Sequence, residues 1–290
     1  MPSVRHGYRH ATFFFLRVLV GCLWQGEAGE MEVEMLLYRY MPYKFWYETV
    51  KTGWFAAQKP SHFRDIHEGN AMIGSAIKLA ASAFDNQISV LCFNKVEGTT
   101  DDAEQRLWAD CADGHGGVRI VMDCSSDILN LPMFWFGDSV AYDNKMVEIT
   151  KDEMMSAASF RRPNDILSRN SWFPFSKCLF TKNKSYDWEN EYRIIFLNNQ
   201  IDNLIEQRVC DSAEKEKRWF LRFPTECIVG VDFGARISEC SDGIERVARD
   251  VKNIRNERPN LKMGIMTTSL SEKRIFRLNL DEYLKSNSFS

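Results

Sequence analysis

Apolar positions along the chain recur with two periods, and together these periods predict alternating strands and helices. Short apolar or β-branched runs indicate buried strands, whereas apolar positions three and four residues apart indicate helices with one buried face. We expect strands at Leu36–Tyr40, Trp54–Ala57, Ile88–Phe93, Val118–Asp123, Trp135–Tyr142, Tyr192–Leu197, Cys227–Phe233, Leu261–Ser269 and Arg274–Leu278.

Helical spacing marks the longer stretches between these strands. Good helix formers dominate Ala71–Phe84, and the acidic residues Asp101 and Asp102 stand where a helix carries its positive end. Because no repeat or linker interrupts residues 36–285, we predict a single α+β domain there, with a mixed, mainly antiparallel central sheet flanked by helices. The expected helices are Tyr43–Lys51, Ala71–Phe84, Asp101–Ala112, Lys151–Phe160 and Ile237–Glu257.

Residues 1–35 differ from the rest of the chain. An apolar run, Phe13–Trp24, follows Arg5 and Arg9 as in a signal peptide, but Arg17 interrupts it and no small-x-small cleavage site follows. The run is also too short to span a bilayer. We expect an N-terminal extension or a misassigned start rather than a targeting signal.

Charge and cysteine usage narrow the class of protein. The net charge is −3, so the composition indicates neither a clear nucleic-acid patch nor a basic surface for membranes. None of the eight cysteines forms a C-x-x-C pair, so a structural zinc is not expected. His62 and His67 are spaced unlike helical metal ligands, and we predict no metal site. These features are typical of a cytoplasmic protein with reduced thiols.

Four stretches, taken in order, carry a resemblance to a known family. They are Leu37–Tyr40, Pro60–Asp65, Ser89–Phe93 together with Leu107–Gly117, and Glu189–Ile195. The ordered set resembles the bacterial domain-of-unknown-function 2971 family over most of residues 36–280. The resemblance implies a fold and a class of protein, and it brings no activity with it.

The pattern that best suits catalysis is Glu189-Asn190-Glu191. Side chains two residues apart on a strand lie on the same face, roughly 7 Å from each other, and paired carboxylates suit acid–base work or stabilisation of a cation. With Arg39 on an early strand and Ser89 on a middle strand, the order is similar to the Arg–Ser–Glu pattern of ADP-ribosyltransferases. Ser89 is followed by Val-Leu-Cys, which departs from that pattern.

That similarity implies a role for each residue, with NAD as a possible substrate and no cofactor identified. Arg39 would hold the NAD pyrophosphate, and Ser89 would order the strand beside the nicotinamide. Glu191 would stabilise the oxocarbenium-like cation as nicotinamide leaves, while Glu189 would orient or deprotonate the acceptor. Such a protein would be an ADP-ribosyltransferase-like or NAD-cleaving enzyme.

Three other interpretations stay open. The two glutamates can form a solvated strand face neutralised by Arg193. The chain can be a non-catalytic binding or regulatory module of a stress or phage-defence locus, with Tyr38, Trp108 and Arg193 among its ligand-binding side chains. Finally, His115 with Asp113 lies in a glycine-rich turn, where a histidine can serve as the general base of a hydrolase or bind a ligand.

Overall fold

The computed structural model describes residues 35–63, 71–73, 77–79, 88–124, 136–150, 152, 177–198, 204–209, 217–239, 243–269 and 274–287. All of them belong to one compact unit, Glu34–Ser290. The predicted extension, residues 1–35, lies outside the described residues except for Met35. The predicted helix Lys151–Phe160 also lies outside them, except for Asp152, which is helical.

The described part of the chain contains four α-helices and sixteen strands, and many of the strands follow one another with no described α-helix between them. The helices are α1 (Tyr43–Thr52), α2 (Asp101–Cys111), α3 (Gly243–Glu257) and α4 (Leu280–Asn287). The strands are β1 (Leu36–Met41), β2 (Trp54–Ala56), β3 (Ala71–Ile73), β4 (Ile77–Leu79), β5 (Ile88–Lys95), β6 (Val118–Asp123), β7 (Phe136–Ser139), β8 (Ala141–Asp143), β9 (Val147–Ile149), β10 (Thr181–Asn183), β11 (Glu191–Leu197), β12 (Ile205–Val209), β13 (Lys217–Arg222), β14 (Ile228–Phe233), β15 (Lys262–Ser269) and β16 (Arg274–Asn279).

An eight-stranded sheet forms the centre of the fold, in the order β16-β15-β14-β6-β1-β5-β11-β7. β14 and β15 are parallel and are joined through α3, since parallel neighbours need a crossover connection. Its other paired neighbours are antiparallel. The described residues also form three smaller sheets, β10-β8, β12-β13-β2 and β4-β3-β9. The fold is therefore α+β with a mixed, mainly antiparallel sheet, as predicted.

Helices cover both faces of the central sheet. On one, the α1 face, buried side chains of α1 and α3 such as Trp46 and Val251 join the main apolar core with Leu37 of β1. On the other, the α2 face, Trp108 of α2 packs against Tyr40. The helix ends follow local rules: the Thr100 hydroxyl caps α2 at the Ala103 N–H, and left-handed Gly53 ends α1.

The helix predicted over Ala71–Phe84 is wrong where the structure describes it. Ala71–Ile73 and Ile77–Leu79 are short antiparallel strands, and the first also pairs in parallel with Val147–Ile149. The alanine-rich composition favours a helix only weakly, and strand pairing with a distant segment overrides it.

The predicted helix Ile237–Glu257 is shorter than expected. Ile237–Glu239 is a 3₁₀ turn and the α-helix begins at Gly243. The predicted extended segment Trp135–Tyr142 contains two strands, β7 and the start of β8, which join different sheets. The other predicted strands end within three residues of the observed ones.

Candidate functional site

The two glutamates of the Glu-x-Glu pattern flank a turn that leads into β11. A 3₁₀ turn over Lys184–Glu189 ends at Asn190, which has left-handed backbone angles (φ 45°, ψ 53°). The Asn190 amide donates hydrogen bonds to the carbonyl oxygens of Glu97 at 2.5 Å and Lys95 at 3.4 Å. Asparagine adopts this conformation more readily than most residues, so Asn190 both bends the chain and ties it to the residues at the end of β5.

Both carboxylates contact one ammonium group. Lys182 Nζ lies 2.6 Å from Glu189 Oε2 and 3.5 Å from Glu191 Oε2. The Glu191 carboxylate also accepts two hydrogen bonds from Arg193, at 3.1 Å from Nε and 2.8 Å from Nη2. The acids therefore share a site, although Glu189 lies in the 3₁₀ turn and only Glu191 lies on the strand. We call Lys182, Glu189, Glu191 and Arg193 the Glu191 cluster.

The Glu191 cluster is largely buried. Relative exposure is 4% for Glu191, 0% for Arg193 and 7% for Lys182. Burial alone would raise the pKa of Glu191, but the positive charges of Arg193 and Lys182 lower it to about 2. Glu191 is thus ionised at neutral pH and neutralised inside the protein. The expectation of a solvated strand face is wrong for Glu191 and Arg193, because both lie in the interior.

Polar and aromatic neighbours complete the surroundings of the cluster. The Tyr142 hydroxyl accepts the Glu191 backbone N–H at 2.8 Å, and the Arg193 guanidinium stacks 4.7 Å from the Phe63 ring centroid. Arg193 also donates to the Leu179 carbonyl at 2.5 Å. The Cys92 thiol, opposite Arg193 on β5, has a pKa well above its ordinary value because of burial and the nearby Glu191 charge.

Ser89 lies on the other face of the sheet from Glu191. Glu191 is paired with Asn94 and Phe196 with Ser89; since side chains alternate between faces, Ser89 belongs to the α1 face and Glu191 to the α2 face. The buried Ser89 hydroxyl donates to Asn198 Oδ1 at 2.8 Å.

Arg39 is also on the α1 face by the same alternation. Its neighbour Tyr38 is paired with Asn94 and therefore shares the Glu191 face. The Arg39 guanidinium donates a hydrogen bond to the Cys92 carbonyl oxygen. The structure thus brings Glu189 and Glu191 together but does not bring Arg39 and Ser89 to them in one cleft.

Tyr38 and Trp108 belong to a second buried cluster on the α2 face. Its centre is Arg119, which donates to both Asp232, at 2.8 Å from Nη2, and Glu104. The Tyr38 ring centroid lies 4.0 Å from the Arg119 Cζ and that of Trp108 5.7 Å. Trp108 is 0% exposed and Tyr38 only partly buried, so Tyr38 is the better placed of the two to meet a ligand.

His115 occupies a turn docked against the end of β14. It has left-handed backbone (φ 69°), as does Asp113 (φ 54°), and its carbonyl accepts the Arg236 N–H at 2.9 Å. Gly234 permits this approach, because a Cβ there would lie 2.1 Å from the His115 carbonyl oxygen. Partial burial and the Arg236 charge lower the pKa of His115.

A cavity of about 470 Å³ lies at the β16 edge of the central sheet. It forms where α3 ends, β15 begins and β16 leads into α4. We call it the corner cavity. Arg255, Lys262 and Arg277 bring positive charges to its wall and Asp281 brings a negative one. Sequence patterns did not mark this site. Its charged residues all lie between residues 255 and 281, but only the packing of α3, β15, β16 and α4 brings them to one cavity.

Lys182 was also missed by sequence analysis. It lies in Lys182-Asn183-Lys184, a stretch without apolar periodicity, and only the β10–β8 pairing and the following 3₁₀ turn bring it beside the two glutamates. In the described part of the chain, no three His, Cys, Asp or Glu side chains are grouped as metal ligands. Nor is any helix there long and apolar enough to cross a membrane.

Comparisons with known proteins found no relative of this chain. No family model matches the sequence, no curated protein matches it, and no solved structure matches the fold. The fold and the two charged clusters therefore define the protein only as an α+β protein with buried ion pairs and a cation-lined cavity.

Proposed function

We propose that this protein is a non-catalytic module that binds a small molecule, and that the corner cavity is its binding site. The observation that carries the proposal is that three cationic residues, Arg255, Lys262 and Arg277, line one cavity outside the Glu191 cluster. A concave site with a few convergent polar groups is the usual form of a small-molecule site. A nucleotide belongs to the class of ligand that such a cavity accepts.

The surroundings of Glu191 support a structural role for that residue. A carboxylate that stabilises a developing cation must face the substrate, whereas Glu191 faces Arg193 and Lys182 and is 4% exposed. The two glutamates, one lysine and one arginine of the cluster balance in charge. Such a cluster orders the entrance of β11, and its partners already satisfy the charges that a catalytic step would need.

The test of this proposal is a search for NAD cleavage. Purified full-length protein is incubated with NAD labelled in the nicotinamide ring, and released nicotinamide is measured for the wild type and for Glu191→Gln. We expect no release above the enzyme-free rate from either protein. Release by the wild type that is lost in folded Glu191→Gln, with folding checked by circular dichroism, would overturn the proposal.

A second candidate function is cleavage of NAD at the Glu191 cluster. The observation favouring it is that Glu189 and Glu191 meet at Lys182 while the Glu189 side chain keeps 17% exposure. Glu189 would then be the carboxylate that meets substrate. The same assay tests it. If the Glu191 cluster cleaves NAD, Glu189→Gln, which changes a less buried side chain than Glu191→Gln does, must also abolish nicotinamide release.

A further inference from the structure

We propose that the corner cavity recognises a phosphate group, with Lys262 and Arg277 as its direct contacts. This inference rests on the proposed function and adds the chemistry of the ligand. The cavity, about 470 Å³, falls within the range of small-molecule sites, about 300–1,000 Å³. Its size suits a phosphorylated metabolite such as a nucleoside monophosphate rather than a macromolecule.

Lys262 supplies a charge that no described residue pairs. It begins β15, its side chain is exposed, and its ammonium group makes no ion pair or hydrogen bond with the residues that the structure describes. An unpaired ammonium on a cavity wall attracts an anion without first breaking an internal contact. Lys262 is therefore the side chain whose removal should affect binding without affecting the fold.

Arg277 offers a fork of donors beside it. Its Nε is hydrogen-bonded to Asp232, whereas the side chain remains 45% exposed and its two terminal nitrogens have no partner among the described residues. Asp232 thus fixes the guanidinium and leaves a planar pair of donors for a ligand. This geometry suits two oxygens of a phosphate.

Gly264 makes that position of Arg277 accessible. A Cβ on Gly264 would lie 2.7 Å from Arg277 Nε and 2.6 Å from Asp232 Oδ1. The absence of a side chain therefore lets Arg277 cross β15 to reach Asp232. Gly264 is a positioning residue for the cavity.

The remaining charges of the wall favour a doubly charged ligand group. Arg255 and Asp281 form a two-point ion pair, with Nη2–Oδ2 at 2.7 Å, so their charges offset each other. Arg277 is likewise paired with Asp232, so Lys262 supplies the net positive charge of the wall and Arg277 supplies its remaining donors. Together they favour a phosphate monoester, which carries about −1.5 to −2 charges near neutral pH, over a singly charged carboxylate.

The experiment measures binding to the full-length protein by calorimetric titration at fixed ionic strength. The probes are inorganic phosphate, adenosine monophosphate, adenosine and acetate. We expect the two phosphate probes to bind and adenosine and acetate not to bind. Lys262→Gln should weaken phosphate binding at least tenfold, since losing a hydrogen bond to a charged group costs about 1.5–3 kcal/mol.

The matched control is Lys252→Gln, which removes an exposed lysine of α3 that does not line the cavity. Its affinity should equal that of the wild type. Equal weakening in both variants would reduce the effect to net charge and overturn the inference, as would the absence of phosphate binding. If adenosine binds and Lys262→Gln does not weaken that binding, the phosphate assignment is wrong, but the proposed binding function is not contradicted. NAD cleavage lost in Glu191→Gln would contradict the binding function itself.

Discussion

At the scale of single residues, the neighbours of Glu191 determine whether its buried carboxylate is ionised. A buried carboxylate is costly unless its charge is paired and hydrogen-bonded, and Arg193 and Lys182 meet both needs. The partners hold the pKa of Glu191 at about 2, below its ordinary 4.5. A group with a depressed pKa stabilises the folded state above its unfolded pKa and loses that contribution as pH falls.

The free energy of unfolding should therefore fall between about pH 5 and pH 2, and Glu191→Gln should remove this part of the pH dependence. At pH 7 the substitution should cost about 3 kcal/mol, because it leaves buried cations with one fewer partner. Urea unfolding followed by circular dichroism at a series of pH values measures both effects.

Glu239→Gln is the matched control, since Glu239 also pairs with an arginine, Arg236, but on the surface. Exposed pairs are screened by water and contribute little, so its unfolding curve should stay close to that of the wild type. An identical pH profile for Glu191→Gln and the wild type would show that Glu191 is not held ionised in the interior.

The sequence could predict that Glu189 and Glu191 lie close together, but not which cation they meet. Their closeness is a local property, because one residue separates them, although Glu189 lies in the 3₁₀ turn and only Glu191 lies on the strand. The choice of Lys182 depends on how β10 and the 3₁₀ turn pack against β11, which is a tertiary property. For the same reason Arg39 and Ser89 had the expected order along the chain and still fall on the opposite face.

At the scale of elements, the entrance to β11 depends on the backbone of Asn190. Its left-handed conformation costs a residue with a Cβ roughly 1–2 kcal/mol, whereas glycine adopts it freely. The Asn190 side chain also bonds to the Glu97 carbonyl. Asn190→Gly should lose only the hydrogen bonds, while Asn190→Ala should lose them and add strain.

We therefore expect Asn190→Ala to lower the free energy of unfolding by about 1 kcal/mol more than Asn190→Gly. Chemical denaturation of the two variants beside the wild type measures the difference. An equal decrease in the free energy of unfolding of both variants would mean that the turn relaxes out of the left-handed region when the side-chain amide is removed.

Local signals predicted the elements where chain-local chemistry and packing agree. The strand over Val118–Asp123 was predicted with its observed bounds, because apolar β-branched side chains there are buried in the core. The helix over Ala71–Phe84 failed because β3 takes its partners from β4 and from β9, which lies far along the chain. Propensity carries no information about such partners.

At the scale of the whole molecule, the central sheet holds two charged clusters on one face, at separate places. Asp232, which joins Arg119 and Arg277, stands on β14, and Glu191 stands on β11. Four strand spacings separate these strands, which is about 19 Å at roughly 4.8 Å each. The sheet order that creates this separation is a matter of long-range pairing, and no sequence pattern specified it.

This distance predicts that the two clusters contribute independently to stability. Substitutions more than about 7–10 Å apart without shared partners usually add within about 0.5 kcal/mol, whereas residues in direct contact couple by about 0.5–3 kcal/mol. Glu191→Gln with Arg277→Gln should therefore be additive, and Glu191→Gln with Lys182→Gln, whose side chains lie 3.5 Å apart, should not. Urea unfolding of the single and double variants at pH 7 gives both coupling energies. A coupling above 1 kcal/mol between Glu191 and Arg277 would mean that the sheet transmits strain between the clusters, and ligand binding in the corner cavity would then also affect the entrance of β11.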